Sequence, residues 1–192
     1  MVSLPPPAVE IVLVLLVLVA AAYDIRYRRI PNWLTLSGVI TGLVLNAFLL
    51  TPAPAIVSFG GFLFALKGLG LGFGLYFFLY AMHAMGAGDV KLMAAVGSLV
   101  GWQDWFGIFV VTAIFGGIAA LALSLVRGRL KRTFWNVSFI LSEMGHGRPA
   151  YLRNEELDVR SKKSLGLPHG AVIAAGTLVF LAAGMMAIAS AS

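Results

Sequence analysis

A chain of 192 residues that is 60% hydrophobic and 11% charged, with a mean hydropathy of +0.94, is not a soluble domain, which would carry roughly a quarter charged residues. The net charge of +6 would suggest a nucleic-acid partner if it were spread over a surface, but the basic residues cluster and read as membrane topology. There is no cysteine, so disulfides, thiolate metal sites and cysteine nucleophiles are excluded.

The length allows one domain, residues 1–192, with no repeat at a solenoid period. A spanning helix needs about 20 mostly apolar residues. The first is expected from about Ala8 to Tyr23, with Pro5, Pro6 and Pro7 marking its start. No Lys or Arg precedes Arg26, so the run lacks the basic flank of a cleaved signal and reads as a first membrane helix. Asp24 to Pro31 is a polar turn, and Pro31 is well placed to start a second helix over Asn32 to Leu50. After Thr51-Pro52-Ala53-Pro54, the apolar stretch from Ala55 to Met82 is too long for one upright helix. It predicts a short surface-lying or tilted segment followed by a third span from about Phe64. Its glycines suit close helix contacts. After the stretch Gly86 to Asp89 a short fourth span runs to about Val100, an outer turn with interfacial aromatics covers Trp102 to Trp105, and a fifth span covers about Phe106 to Val126.

Residues 127–166 form the one substantial polar stretch, a basic cytoplasmic loop. Within it Leu130, Phe134, Val137, Leu141 and Met144 fall on one helical stripe, which predicts an amphipathic helix lying on the membrane. A sixth span follows over Leu167 to Ala189. The expected fold is therefore all-α: a polytopic membrane protein with six transmembrane helices and one amphipathic cytoplasmic helix.

Charge sets the orientation. Of 14 Lys and Arg, three lie between residues 24 and 31 and nine between 127 and 166. Short loops rich in Lys and Arg stay in the cytoplasm, so both termini are expected outside a cytoplasmic (inner) membrane. Asp24 and Asp89 then share the cytoplasmic end of their helices. An acid at bilayer depth is costly and usually faces a polar interior with a partner. Two neighbouring carboxylic acids resist double ionisation and share a proton. One can act as base on water while the other donates to a substrate carbonyl, which hydrolyses a peptide without metal or covalent intermediate. The competing reading is structural: Asp24 has Arg26 and Arg28 nearby, Asp89 has Lys91, and spacing alone does not show that helices one and four touch.

At this point three motifs carry a resemblance. Gly86-Ala87-Gly88-Asp89, followed by Val90-Lys91-Leu92, resembles the Gly-x-Gly-Asp motif of the type IV prepilin peptidases. Asp24-Ile25-Arg26-Tyr27-Arg28-Arg29-Ile30-Pro31-Asn32 resembles that family's first aspartate motif, and Leu167-Pro168-His169-Gly170 its Pro-Tyr-Gly signature. The short length most resembles the Tad/Flp-pilus branch. The resemblance implies an intramembrane aspartyl endopeptidase that removes the leader of pilin-like precursors at the cytoplasmic membrane face. Asp24 and Asp89 would be its catalytic pair. Gly86 and Gly88 would admit a backbone, and Arg26, Lys91, Pro168 and His169 would bind substrate or shape the site. Two departures stand out: His169 replaces the usual Tyr, and the paired CxxC motifs of larger members have no counterpart, so methyltransferase activity is not expected.

The implied partners are a prepilin or pilin-like precursor and the lipid bilayer, with no nucleic acid and no cofactor. Lys91 and Lys67 also fit side chains snorkelling to headgroups. The three histidines, His83, His146 and His169, lie far apart and outside any HExxH pattern, so no metal is expected. Two rivals remain. One is a non-catalytic membrane assembly component or small transporter that uses the acids for structure or proton transfer. The other is a presenilin-like protease, which shares Gly-x-Gly-Asp and a Tyr-Asp pair like Tyr23-Asp24 but has more helices in another order.

Overall fold

The computed structural model describes residues 5–49, 58–128, 135, 138 and 167–191. These form five helices: α1 (Pro7–Tyr27), α2 (Asn32–Leu49), α3 (Phe59–Ala81), α4 (Ala87–Val126) and α5 (His169–Ala191). Each is long and apolar enough to cross a membrane. The expected amphipathic helix falls in residues 127–166 and lies almost wholly outside the described residues.

Because α1 is apolar on every side, its inward face is marked by burial and not by hydrophobicity. Val9, Leu13, Leu16, Val17 and Ala20 are buried, and four residues on, the same stripe ends in buried Asp24. The helix continues to Tyr27, so Asp24 sits in its last turn and not, as expected, in the polar turn beyond it. Arg28 takes a left-handed conformation (φ 54°) and its N–H donates to the Asp24 carbonyl at 2.9 Å, which closes the helix.

The third helix also differs from expectation. It begins at Phe59, without a separate surface segment in residues 58–64, because Ser58 caps it there: its hydroxyl oxygen accepts from the Gly61 N–H at 3.1 Å. Twenty-three residues rise about 35 Å, so one tilted helix accommodates the whole described stretch.

The largest departure is in α4. Its 40 residues would reach about 60 Å if straight, twice the thickness of a hydrocarbon core. Gly101 interrupts it with φ 74° and ψ 179°. The Trp105 indole N–H donates to the Met93 carbonyl at 3.0 Å. Twelve residues of straight helix would hold those residues about 18 Å apart, so the second arm must fold back beside the first. Trp102 to Trp105 are helical and Trp105 is fully buried, so the expected outer aromatic turn is replaced by a reversal at one glycine.

The first arm of α4 is the core of the bundle. From Asp89 to Gly101 every residue is buried except Lys91. Backbones approach closely around it: a Cβ on Gly68 of α3 would strike the Gly97 carbonyl, and one on Gly97 would strike that of Gly68. A Cβ on Gly42 of α2 would likewise meet Ser98.

A helix end leaves carbonyls without intrahelical donors, and the reversal creates such an end inside the protein. Asn46 of α2, 1% exposed, supplies them: its Nδ2 donates to the Ser98 carbonyl at 3.0 Å and the Leu99 carbonyl at 2.9 Å. Replacing Asn46 with Leu removes the donor at similar size. It should cost about 1–3 kcal/mol, the penalty for buried acceptors left unmet. A lowered thermal midpoint of the purified protein in detergent checks this, and an unchanged midpoint would show that the carbonyls find other donors.

Candidate active site

Asp24 and Asp89 come from helices that run in opposite senses and enter the site at the same end of the bundle. Asp24 is in the last turn of α1 and Asp89 in the first turn of α4; they are 8% and 7% exposed. The Asp89 carboxylate lies within reach of the charge of Asp24. Both line a cavity of about 500 Å³, together with Arg28, Arg29 and Asn32 from the α1–α2 turn and Gly86, Gly88 and Lys91 from the start of α4.

Each carboxylate is held by a backbone N–H at a helix N-terminus. Asp89 Oδ2 accepts from the Gly86 N–H at 3.1 Å, a side chain reaching back to the residue that caps its own helix. Asp24 Oδ2 accepts from the Gly170 N–H at 2.7 Å, across 146 residues of sequence. Gly170 is in the first turn of α5, where amide groups lack intrahelical partners and the helix dipole favours an anion. The two acids are thus fixed by peptide groups, with room on the cavity side for a water molecule and a peptide.

The glycines have separate tasks. A Cβ on Gly86 would sit 3.2 Å from Asp89 Oδ2, so a bare backbone leaves the carboxylate its place. A Cβ on Gly88 would sit 3.3 Å from Cβ of Ile30, so this glycine lets the start of α4 pack on the turn that carries the first aspartate motif. A Cβ on Gly170 would lie 3.0 Å from both Cβ and Oδ2 of Asp24.

Lys91, exposed, donates from Nζ to Asn32 Oδ1 at 2.9 Å. Arg26 does not line the cavity; its guanidinium lies 5.6 Å from the Tyr27 ring centroid on the exposed side of α1. Pro168 accepts the Ala171 and Val172 N–H groups as α5 starts. His169 lines a second, smaller cavity of about 230 Å³ with Tyr76 and Thr112, and its ring feels the charge of Asp24. Tyr76, fully buried, stands in the same relation to Asp89. Among the described residues no group of three His, Asp or Glu side chains comes together that could hold a metal ion.

Sequence reasoning missed Gly170, Asn32 and Tyr76. Gly170 had a signal: a glycine just after Pro168 opens a helix, where its N–H is free to bind an anion. Asn32 stood in the first aspartate motif but faces the site only because the α1–α2 turn is tight. Tyr76 had no signal, being one aromatic among several in an apolar helix.

Residues 11–121, more than half of the chain, match the Type IV leader peptidase family. Among curated proteins, the chain is 30% identical over 112 residues to a prepilin leader peptidase/N-methyltransferase of Legionella pneumophila, covering 57% of this chain and 38% of that one. A protein of the same name from Pectobacterium carotovorum subsp. carotovorum is 30% identical over 114 residues, 58% of this chain and 39% of its own. One from Klebsiella pneumoniae is 32% identical over 93 residues, 48% and 40%. The chain therefore aligns with about two-fifths of the length of these relatives, and no solved structure matches it. Both aspartates fall inside the family match, whereas Gly170 lies beyond it. With its two aspartate motifs within the matched residues, the chain belongs to the type IV leader peptidase family.

Proposed function

We propose that the chain is an intramembrane aspartyl endopeptidase that removes the leader from type IV pilin-like precursors at the cytoplasmic face of the inner membrane. The observation that carries this reading is the meeting of buried Asp24 and Asp89 at one cavity, each with an oxygen turned to a backbone N–H. The family membership and the names of the relatives support the choice of a prepilin as substrate. The two arms of α4 count as separate crossings in this reading, which gives six and puts residues 24–31, residues 82–86, the end of α4 and the start of α5 on one side. The concentration of Lys and Arg in residues 24–31 and in the sequence between α4 and α5 supports that side as the cytoplasm.

In the reaction, the ionised carboxylate of the pair takes a proton from water as its oxygen bonds to the peptide carbonyl carbon. The protonated partner donates to the carbonyl oxygen, giving a neutral gem-diol. Collapse breaks the C–N bond as a proton passes from the pair to the leaving nitrogen. The products are a leader ending in a carboxylate and a mature chain beginning with an amine. The pair ends with one proton, as it began.

The test is co-expression with a pilin-like precursor encoded in the same genome. A shift from precursor to mature length on a gel is expected, with the new N-terminus read by mass spectrometry. An assembly subunit or transporter would leave the precursor at full length.

Gly170 gives a finer check. In Gly170→Ala the N–H remains, but the added Cβ crowds Asp24 at 3.0 Å. A small misplacement of a reacting group costs up to about 100-fold in rate. A fall of about 10- to 100-fold in single-turnover cleavage, with little change in thermal midpoint, is expected. Full activity would show that Asp24 does not depend on this contact.

A further inference from the structure

The cavity that holds the aspartates does not end at Lys91. A second hollow, of about 410 Å³, begins there, and Asn32 and Lys91 line both. Its walls are otherwise mostly apolar: Leu36 and Val39 of α2 on one side, Leu69 and Phe73 of α3 on the other. Leu36 is 60% and Phe73 46% exposed, so the groove is open along the side of the bundle. The hydrogen bond from Lys91 Nζ to Asn32 Oδ1 stands at the junction of the two. Among the described residues that ammonium has no carboxylate partner, so its bond to a neutral amide oxygen is exchangeable for another acceptor.

The glycines of α3 add to this. Gly68 and Gly72 face α4, where any Cβ would strike its backbone. Gly70 and Gly74, at the same four-residue spacing, face away, and a Cβ on either would meet nothing within 4 Å. Gly70, three residues before Phe73, borders the groove that this ring lines, while Gly74 faces the side of α3 opposite α4. A bare backbone of this kind admits a further helix at close range in a membrane.

The family resemblance implies a cut at the cytoplasmic edge of the precursor's apolar helix, which must then lie where cavity and bilayer join. The 230 Å³ cavity beside His169 shares no lining residue with the aspartate cavity and so does not continue it. The geometry points to the α2–α3–α4 groove as the track for the precursor's apolar helix, with Asn32 and Lys91 as a latch. Lys91 exchanges the Asn32 oxygen for an oxygen acceptor on the arriving chain. This inference rests on the peptidase reading and adds to it where the membrane part of the substrate lies.

The test uses the full chain in lipid nanodiscs with a prepilin from the same genome. A photo-crosslinking residue is placed at Leu36, at Phe73, or at exposed Ile114 on the second arm of α4, in an Asp89→Asn background that leaves the precursor uncut. Crosslinks to the precursor are expected from positions 36 and 73 and not from 114. In the otherwise unaltered chain, Val39→Trp fills the groove and should raise KM for the prepilin about tenfold with kcat retained, the pattern of lost ground-state binding. Precursor crosslinks from 114 alone, crosslinks from 36 and 73 to a second copy of this chain, or an unchanged KM would each overturn the proposal. A gel of the unaltered chain separates the two levels. If it cuts the prepilin and the groove positions stay silent, the track fails alone; if it does not cut, the peptidase reading fails with it.

Discussion

Asp89→Asn and Asp24→Asn are each expected to reduce leader cleavage by at least about 10³-fold, within the range that acid–base groups contribute to a proton-transfer step. An amide keeps the shape of the side chain and an oxygen that can accept from Gly86 in one case and Gly170 in the other. What it removes is the capacity to pass a proton. The thermal midpoints should therefore stay within a few degrees of the unaltered chain while the gel shift disappears. The double variant should be no slower than either single one, because the two groups act as a unit and the first loss already stops the cycle. A transporter or assembly subunit would show neither pattern. Cleavage that survives both substitutions would remove the mechanism altogether.

How much of this was legible beforehand depends on the range over which each signal acts. Asp24 and Asp89 could be singled out from charge alone, because a carboxylate beside an apolar run at a shared depth is an exception that physics makes costly. Their meeting could not be read, since it rests on how α1 and the first arm of α4 pack. That packing is recorded in the sequence only as Ala20 and Asp24 falling on one stripe, and as small residues at Gly38, against Leu16 and Ala95, and at Gly88, against Ile30. Mean hydropathy hides such a stripe, because in a membrane helix the face toward lipid is as apolar as the face toward protein. The Gly170–Asp24 bond, 146 residues apart, was out of reach for the same reason. Local signals were read too literally near Gly101: the paired tryptophans suggested an interface, yet Trp105 is buried because its indole reaches a carbonyl on the facing arm.

Gly101 carries the second large effect. Its φ of 74° with ψ near 180° is a conformation open essentially to glycine alone, costing other residues about 1–3 kcal/mol. A side chain there would also enter the space of the Phe64 ring, and overpacking a tight core costs about 1–3 kcal/mol more. Gly101→Ala is therefore expected to lose about 2–6 kcal/mol, a large share of the stability of an ordinary domain. The protein should fail to accumulate in membranes, or melt far earlier in detergent. The two causes can be separated by adding Phe64→Ala, which empties the space and leaves the backbone demand in place. The double variant should regain part of the loss and no more. Complete recovery would assign the whole effect to the ring, and an unaffected single variant would mean that the chain does not reverse at this residue. The consequence reaches the site. The reversal returns the second arm of α4 beside the first and lets the N-terminus of α5 lie against Asp24, so a chain that cannot turn at Gly101 cannot present the Gly170 N–H to that carboxylate.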